Sequence, residues 1–419
     1  MPVKWIQKTK QTVRLPFQHF VESITTSSGL LVGMFLLGLV CSNSVMGQSL
    51  YRSVFTAGLT HFINDGLMSV FFLLVGLEIR REWQSGELSE PNKRRLPLIT
   101  AVGGMLFPAL IFCVFNPPGT PWAKGWGIPT VTDIAFSLAV LSFLKNRIPD
   151  SLRVLLTALA ILDDIGAILL IALFYTSQLH VFPMAILVIG FLLFGILRTN
   201  PAFDVKRYPG IAFFGIALWT VTAIGLWVLL YQTGIHPSIS GVILAWMMGT
   251  ADYPDNATLE KLEESLAPWV NWLIVPVFIL ANTQMPLAGL LGTSSQSPLS
   301  LAPLFWGITL GLFVGKPLGI ILSGTMALRL GVASLPPSVS VRHAFGAAVL
   351  AGIGFTMALF VSLLAFNDAP TLFAQELLTS KAAIFSASLA SGLLGYFILA
   401  LGKRSVASSN LTQGVDHLD

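Results

Sequence analysis

TALAILDDIGAILLIALFYT, residues 157–176, places Asp163 and Asp164 side by side in an otherwise apolar run. A carboxylate at the centre of a hydrocarbon layer costs ~2.5–3.5 kcal/mol on insertion scales. A chain that keeps two of them at one depth needs partners for their charge, or a use for it.

The surroundings of this stretch are those of a membrane protein. Hydrophobic residues make up 54% of the chain and charged residues 11%, against roughly 25% charged in soluble proteins. Apolar runs of 18 or more residues recur from residue 27 to residue 402, long enough to cross a bilayer as helices. Soluble helices alternate faces, whereas these are apolar all round, and continuous runs lack the alternation of a membrane barrel. The fold class expected is therefore an all-α membrane protein with about 12 transmembrane helices. They fall at 27–46, 59–85, 97–116, 122–143, 150–175, 180–199, 211–232, 235–249, 258–284, 303–327, 342–366 and 376–402. The weakest join is TGIHPSISG (233–241), which splits one apolar tract into two short pieces.

Lys and Arg set the orientation. With the N-terminus inside, twenty of the 24 basic residues fall on inner loops and tails, only Arg52, Lys124 and Lys381 fall outside, and Lys316 lies within a span. Both termini are then cytoplasmic. Residues 1–26 read as a basic, amphipathic segment on the membrane surface, 27–402 as one transmembrane domain, and 403–419 as a cytoplasmic tail. The uncharged loop 285–302 reads as an external connection. The first run lacks a small-residue cleavage site and reads as a retained helix. Cys41 and Cys113 lie in separate spans and imply neither a disulfide framework nor a metal motif. The basic pI of about 9.1 follows from membrane loops rather than nucleic-acid binding.

Asp163 and Asp164 are not alone at mid-membrane. Asp133 is central in 122–143, and Lys316 is central in 303–327. One lysine cannot neutralise three aspartates, so at least one carboxylate must hold a proton or a cation. Two of the spans also carry helix-breaking residues. WGIPTVTDIAFSLAV (126–140) contains Pro129, Thr132 and Asp133, and AGIGFTMALF (351–360) contains Gly352, Gly354 and Thr356. Proline removes a backbone donor and glycine weakens the helix. Opened backbone offers carbonyls to cations and helix ends to compensating charges.

These stretches resemble the NhaA-type sodium/proton antiporters. The resemblance is carried by FINDGLMSVFFLLVGLEIRREWQSGEL (62–88), GWGIPTVTDIAFSLAVLSFL (125–144), LTALAILDDIGAILLIALFYT (156–176), LFVGKPLGI (312–320) and LAGIGFTMALFVSLLAF (350–366). It implies inverted-topology repeats formed by spans three to five and ten to twelve, with the interrupted helices of spans 4 and 11 crossing between them. Paired broken helices at a binding site are a pattern for which this family is itself a reference case. By the same resemblance, Asp163 and Asp164 match the ion- and proton-binding pair that would ligate Na+. Asp133 and Thr132 match the interruption of span four, and Lys316 matches an intramembrane lysine that balances Asp163 or exchanges a proton with it. Glu78, Arg81 and Glu263 match a cytoplasmic pH-response region; the bland alternative is solvated interfacial charge. Asp65 divides between an interfacial charge and part of an outer path, and His236 reads as a polar helix-end residue.

Two departures stand out. SNSVMGQSLYRSVFTAGLT, between spans one and two, is short for the β-hairpin through which family members dimerise, so a homodimer rests on the resemblance alone. TLEKLEESLAPWV (258–270) carries acids but no histidine, where some members use titratable residues to sense pH.

The implied function is secondary exchange of Na+, and Li+ by the same chemistry, for H+ across a bacterial inner membrane, in pH and salt homeostasis. No cofactor is expected, and no ATP motif is present. Proton loading that neutralises both aspartates, or one aspartate with Lys316, makes exchange electrogenic with two H+ per Na+. A sodium-coupled symporter would need a solute pocket the sequence does not announce. An intramembrane aspartyl protease would need a Gly-x-Gly-Asp motif that is missing, so no enzyme is expected.

Overall fold

The computed structural model describes residues 27–144, 147–176, 180–198, 212–248, 256–286, 302–336, 338–366 and 373–401. The expected surface segment 1–26, the tail 403–419 and most of the loop 285–302 lie outside the described residues. Among the described residues every regular element is helical.

The helices are α1 (Ser27–Asn43) and α2 (Val45–Val54), bent by 112° at Ser44, then α3 (Ala57–Gln84) and α4 (Pro91–Phe115). A 3-10 helix at Ala123–Thr130 leads through extended residues 131–133 into α5 (Ile134–Phe143). There follow α6 (Asp150–Phe174), α7 (Val181–Arg198), α8 (Ala212–Thr233) and α9 (Ile239–Met247). The chain continues as α10 (Glu260–Asn282), α11 (Ala302–Arg329), α12 (Val341–Leu350), α13 (Phe355–Ala365) and α14 (Phe373–Ala400).

Among the described residues, seven segments are long and apolar enough to cross a membrane, or nine if the bent pairs α1–α2 and α12–α13 each count as one span. This is the multi-pass helical architecture expected. The tract at 211–249 divides where the sequence places its weakest join. Gly234 adopts φ 86°, a left-handed conformation that ends α8 and that glycine takes without strain. The nine residues of α9 then rise only about 14 Å, short of a bilayer core of about 30 Å. Between the first two spans lies α2, capped by the Ser44 hydroxyl, which accepts from Gly47 N–H.

Small residues bring α4 and α11 together. A side chain on Gly319 would come within 2.1 Å of the Gly103 carbonyl, and one on Gly315 within 2.8 Å of Pro108 Cα. Close backbone approach of this kind is how helices associate where lipid removes the hydrophobic drive. Its consequence is local: Lys316, between Gly315 and Gly319, is sealed inside the bundle with no exposed surface. A π turn at Gly311–Gly315 immediately precedes Lys316, the kind of irregularity that accompanies functional positions in helices.

Candidate functional site

The two broken spans meet at their breaks. Asp133 N–H donates to the Ile353 carbonyl at 2.6 Å, the Thr132 hydroxyl lies 2.9 Å from the Ala351 carbonyl, and Ser137 Oγ donates to the Leu350 carbonyl at 3.0 Å. Groups orphaned by one interruption are thus satisfied by the other, which is what allows irregular backbone in a membrane interior. Gly352 is required at this approach, since a Cβ there would lie 2.7 Å from both the Leu312 carbonyl and Ser391 Oγ. A Cβ on Gly354 would come within 2.9 Å of Leu312 Cδ2. Pro129 packs on Gly311, where an added Cβ would sit 2.7 Å from the proline Cβ.

Asp133 serves two helix N-termini at once. One carboxylate oxygen accepts from Phe136 N–H of α5 at 3.1 Å. The other accepts from Thr356 N–H at 2.9 Å and the Thr356 hydroxyl at 2.5 Å, both in the first turn of α13. Its negative charge therefore faces two positive helix ends. Lys316 does the converse. Its ammonium donates to the Thr130 carbonyl, the last residue of the 3-10 helix, at 2.5 Å, and lies 2.8 Å from Asp163 Oδ2.

Asp163 Oδ2 also lies 2.6 Å from the Thr132 hydroxyl, which donates to it or to Ala351. The second oxygen, Oδ1, has no hydrogen-bond partner, and Oδ1 of Asp164 has none either, although both residues are at least 97% buried. A buried carboxylate oxygen without a donor is costly unless it holds a proton or a cation. Among the described residues no three His, Cys, Asp or Glu side chains form a transition-metal cage. The donors gathered here are carboxylate, hydroxyl and carbonyl oxygens, the chemistry of a hard cation. Asp163, Asp164, Asp133, Thr132, Lys316, Thr356 and both breaks thus come together in one buried cluster. The sequence reading missed the Thr130, Ala351 and Ile353 carbonyls, because backbone acceptors leave no residue-type signature. It also missed Ser137, whose only signal is its place one turn after Asp133.

Glu78, Arg81 and Glu263 gather elsewhere, where the last turns of α3 meet the start of α10. Arg81 donates to Glu263 at 2.6 Å and to Glu82 at 3.4 Å. Glu78 and Glu263 are 4% and 5% exposed, so solvated interfacial charge does not describe them. Glu78 Oε1 has no hydrogen-bond partner. Glu82 was missed, though its i+4 spacing from Glu78 puts both on one helical face. Near the start of α3, Asp65 is flanked by His61 at 3.1 Å and His236 at 3.5 Å. His236 also bonds Ser238 Oγ at 2.7 Å just before α9.

Residues 18–399 match the family described as Na+/H+ antiporter 1. The chain is 39% identical over 414 residues to the Na(+)/H(+) antiporter NhaA of Rhodospirillum rubrum, covering 94% of this chain and 100% of that one. It is 40% identical to NhaA of Caulobacter vibrioides, covering 92% of this chain and 91% of that one, and 40% identical to NhaA of Vibrio cholerae, covering 92% and 97%. The solved structure of the sodium proton antiporter MjNhaP1 from Methanocaldococcus jannaschii superposes with a TM-score of 0.51 over 93% of this chain and 96% of that one. At 17% identity that likeness speaks for the fold alone. With matches running almost end to end, and with two broken helices meeting at buried carboxylates, this chain belongs to the Na+/H+ antiporter 1 family.

Proposed function

We propose that the chain is a secondary sodium/proton antiporter of a bacterial inner membrane, exporting Na+, and Li+ by the same oxygen chemistry, in exchange for H+. The single observation that carries this reading is the pair of buried carboxylate oxygens, Asp163 Oδ1 and Asp164 Oδ1, left without donors beside the two helix breaks. A hard cation and a proton both satisfy such oxygens, so they compete for one site. The Thr132 hydroxyl is a further oxygen within reach of Asp163, and the Ala351 carbonyl lies within reach of Thr132. Asp133 holds the helix ends rather than the ion, because its oxygens are already occupied by Phe136 and Thr356.

Exchange follows if only a loaded site crosses between inward- and outward-facing forms. Na+ drawn onto Asp163 competes with the Lys316 ammonium for the same carboxylate. At 2.8 Å, Asp163 and Lys316 titrate as one unit whose proton belongs to the pair. That unit supplies one proton and Asp164 a second, which gives two H+ in for one Na+ out. A net charge then enters per cycle, worth ~2.3 kcal/mol per 100 mV. Twelve spans in inverted repeats, the interrupted spans crossing at the site and both termini cytoplasmic complete the proposed topology. Glu78, Arg81 and Glu263 form its pH-response region at the cytoplasmic end. A homodimer would need contacts other than a β-hairpin, since α2 occupies that segment.

The test is transport in proteoliposomes carrying a pH dye. Addition of Na+ or Li+ to acid-loaded vesicles is expected to drive proton release, and K+ is not. Absence of any Na+-driven proton movement would refute the proposal.

A further inference from the structure

α14 carries polar groups that the exchange site does not use. Glu376, Ser380, Ser388 and Ser391 share one face of the helix, since their spacings of four, eight and three residues keep them within a third of a turn. All four are buried, Ser380 and Ser391 completely. Glu376 Oε2, Ser380 Oγ and Ser391 Oγ have no hydrogen-bond partner, not even the carbonyl one turn back that serines in apolar helices usually take. Between them lie Ala383 and Ala387, which are small, and the Thr309 hydroxyl of α11 reaches the Ala383 carbonyl at 3.5 Å.

The track leads to the break between α12 and α13. Ser391 Oγ lies against Gly352, 2.7 Å from where a Cβ would stand. Ser388 Oγ accepts from Phe355 N–H, the first residue of α13, at 3.2 Å. One residue back from Gly352, the Ala351 carbonyl lies 2.9 Å from the Thr132 hydroxyl, which lies 2.6 Å from Asp163. Lys381, beside Ser380 in sequence, turns off the track and reaches the Gln284 carbonyl at 3.4 Å, so no ammonium stands in the way.

Buried polar groups without protein partners are ordinarily satisfied by ordered water. From Glu376 to Ser391 the helix rises about 22 Å, a length that about eight hydrogen-bonded waters and hydroxyls would bridge at about 2.8 Å apiece. We propose that the inner face of α14 holds a file of bound water running from Glu376 past the helix break at Gly352 to the Thr132 hydroxyl, which gives its proton to Asp163 as it takes one from the last water, and that this route is separate from that of Na+. The water file stands on the α14 geometry; its role in proton delivery rests on the antiporter reading.

The test pairs X-ray radiolysis in 18O-water with transport. Ile353 is 3% exposed, lies in the break, and would take label only from bound water. The wild-type protein is expected to be labelled there, and Ser380→Val to lose the label. That variant is also expected to exchange about tenfold more slowly while retaining 22Na+ binding within about twofold. Ser386→Val, on the exposed side of α14, changes neither. An unlabelled Ile353 in the wild type, wild-type exchange by Ser380→Val, or loss of the label in Ser386→Val would each overturn the proposal. A wild-type protein that exchanges no Na+ for H+ refutes the antiporter reading instead, and the label at Ile353 still decides whether the water file exists.

Discussion

Two buried charge clusters invite comparison: Asp133, Asp163, Asp164 and Lys316 at the meeting of the broken spans, and Glu78, Glu82, Glu263 and Arg81 where α3 meets α10. Both hold more carboxylates than cations, and both leave a carboxylate oxygen without a donor. They differ in what the backbone does. In the α3–α10 cluster the main chain around Glu78 and Glu263 is helical, so Arg81 meets Glu263 side chain to side chain, and only Glu82 also takes a backbone donor, Glu87 N–H at 3.1 Å. At the breaks, N–H groups of Phe136 and Thr356 hold Asp133, and the Thr130 carbonyl accepts a hydrogen bond from Lys316. Opened backbone absorbs part of the charge, and Asp163 and Asp164 are each left with an oxygen that has no donor. The arrangement at the breaks suits the proposed ion site; the α3–α10 arrangement is a clasp between two helices.

The largest expected effect separates the two clusters outright. Asp164→Asn is expected to reduce exchange to the level of protein-free liposomes while the variant inserts and melts as a folded protein. Normal Na+-dependent proton release by this variant would remove the pair from the mechanism. Next comes Lys316→Ala, which strands Asp163 without its cation in a fully buried place. A loss of about 3–5 kcal/mol is expected, read as a lowered melting temperature in detergent. Adding Asp163→Asn should recover most of that stability, though not transport, because it removes the stranded charge. If the double variant melts no higher than the single, the ion pair is not what Lys316 contributes.

Asp133→Ala tests the helix-end role. Two caps are lost, at about 1 kcal/mol each, and exchange should be slowed rather than abolished. Complete loss of Na+ binding with unchanged stability would make Asp133 a ligand instead. The smallest effect belongs to the clasp. Glu263→Gln, which breaks the bond to Arg81, is expected to displace the pH profile of exchange by about one unit, and Glu264→Gln, which is exposed, by less. Equal displacement by both would mean that general charge, not the Arg81 bond, sets the effect.

The reach of the sequence is clearest at these same residues. The helical membrane class, the breaks at Pro129 and Gly352–Gly354 and the central charges were legible because a charge or a proline in an apolar run has a direct physical cost. The partners of those charges were not, because Thr130, Ala351 and Ile353 act through carbonyls that any residue carries. Glu263 was set apart from its neighbours Glu260 and Glu264 by the family resemblance alone; the one-dimensional pattern does not show which of these acids turns inward, and packing against α3 does. The segment before α3 was too short for a β-hairpin, but nothing in its pattern specified α2 in its place.

If Na+ and protons compete for Asp163 and Asp164, as proposed, Na+ binding must free protons, and counting them tests that competition. Na+ is added to the purified protein in weakly buffered detergent solution, and protons freed are counted against 22Na+ bound. The account predicts about two protons released per Na+ bound, with release falling away as the starting pH rises and the site is already empty of protons. Asp164→Asn, left with the proton of the Asp163–Lys316 unit alone, should release no more than one. Stoichiometric Na+ binding without proton release by the wild-type protein would contradict the account.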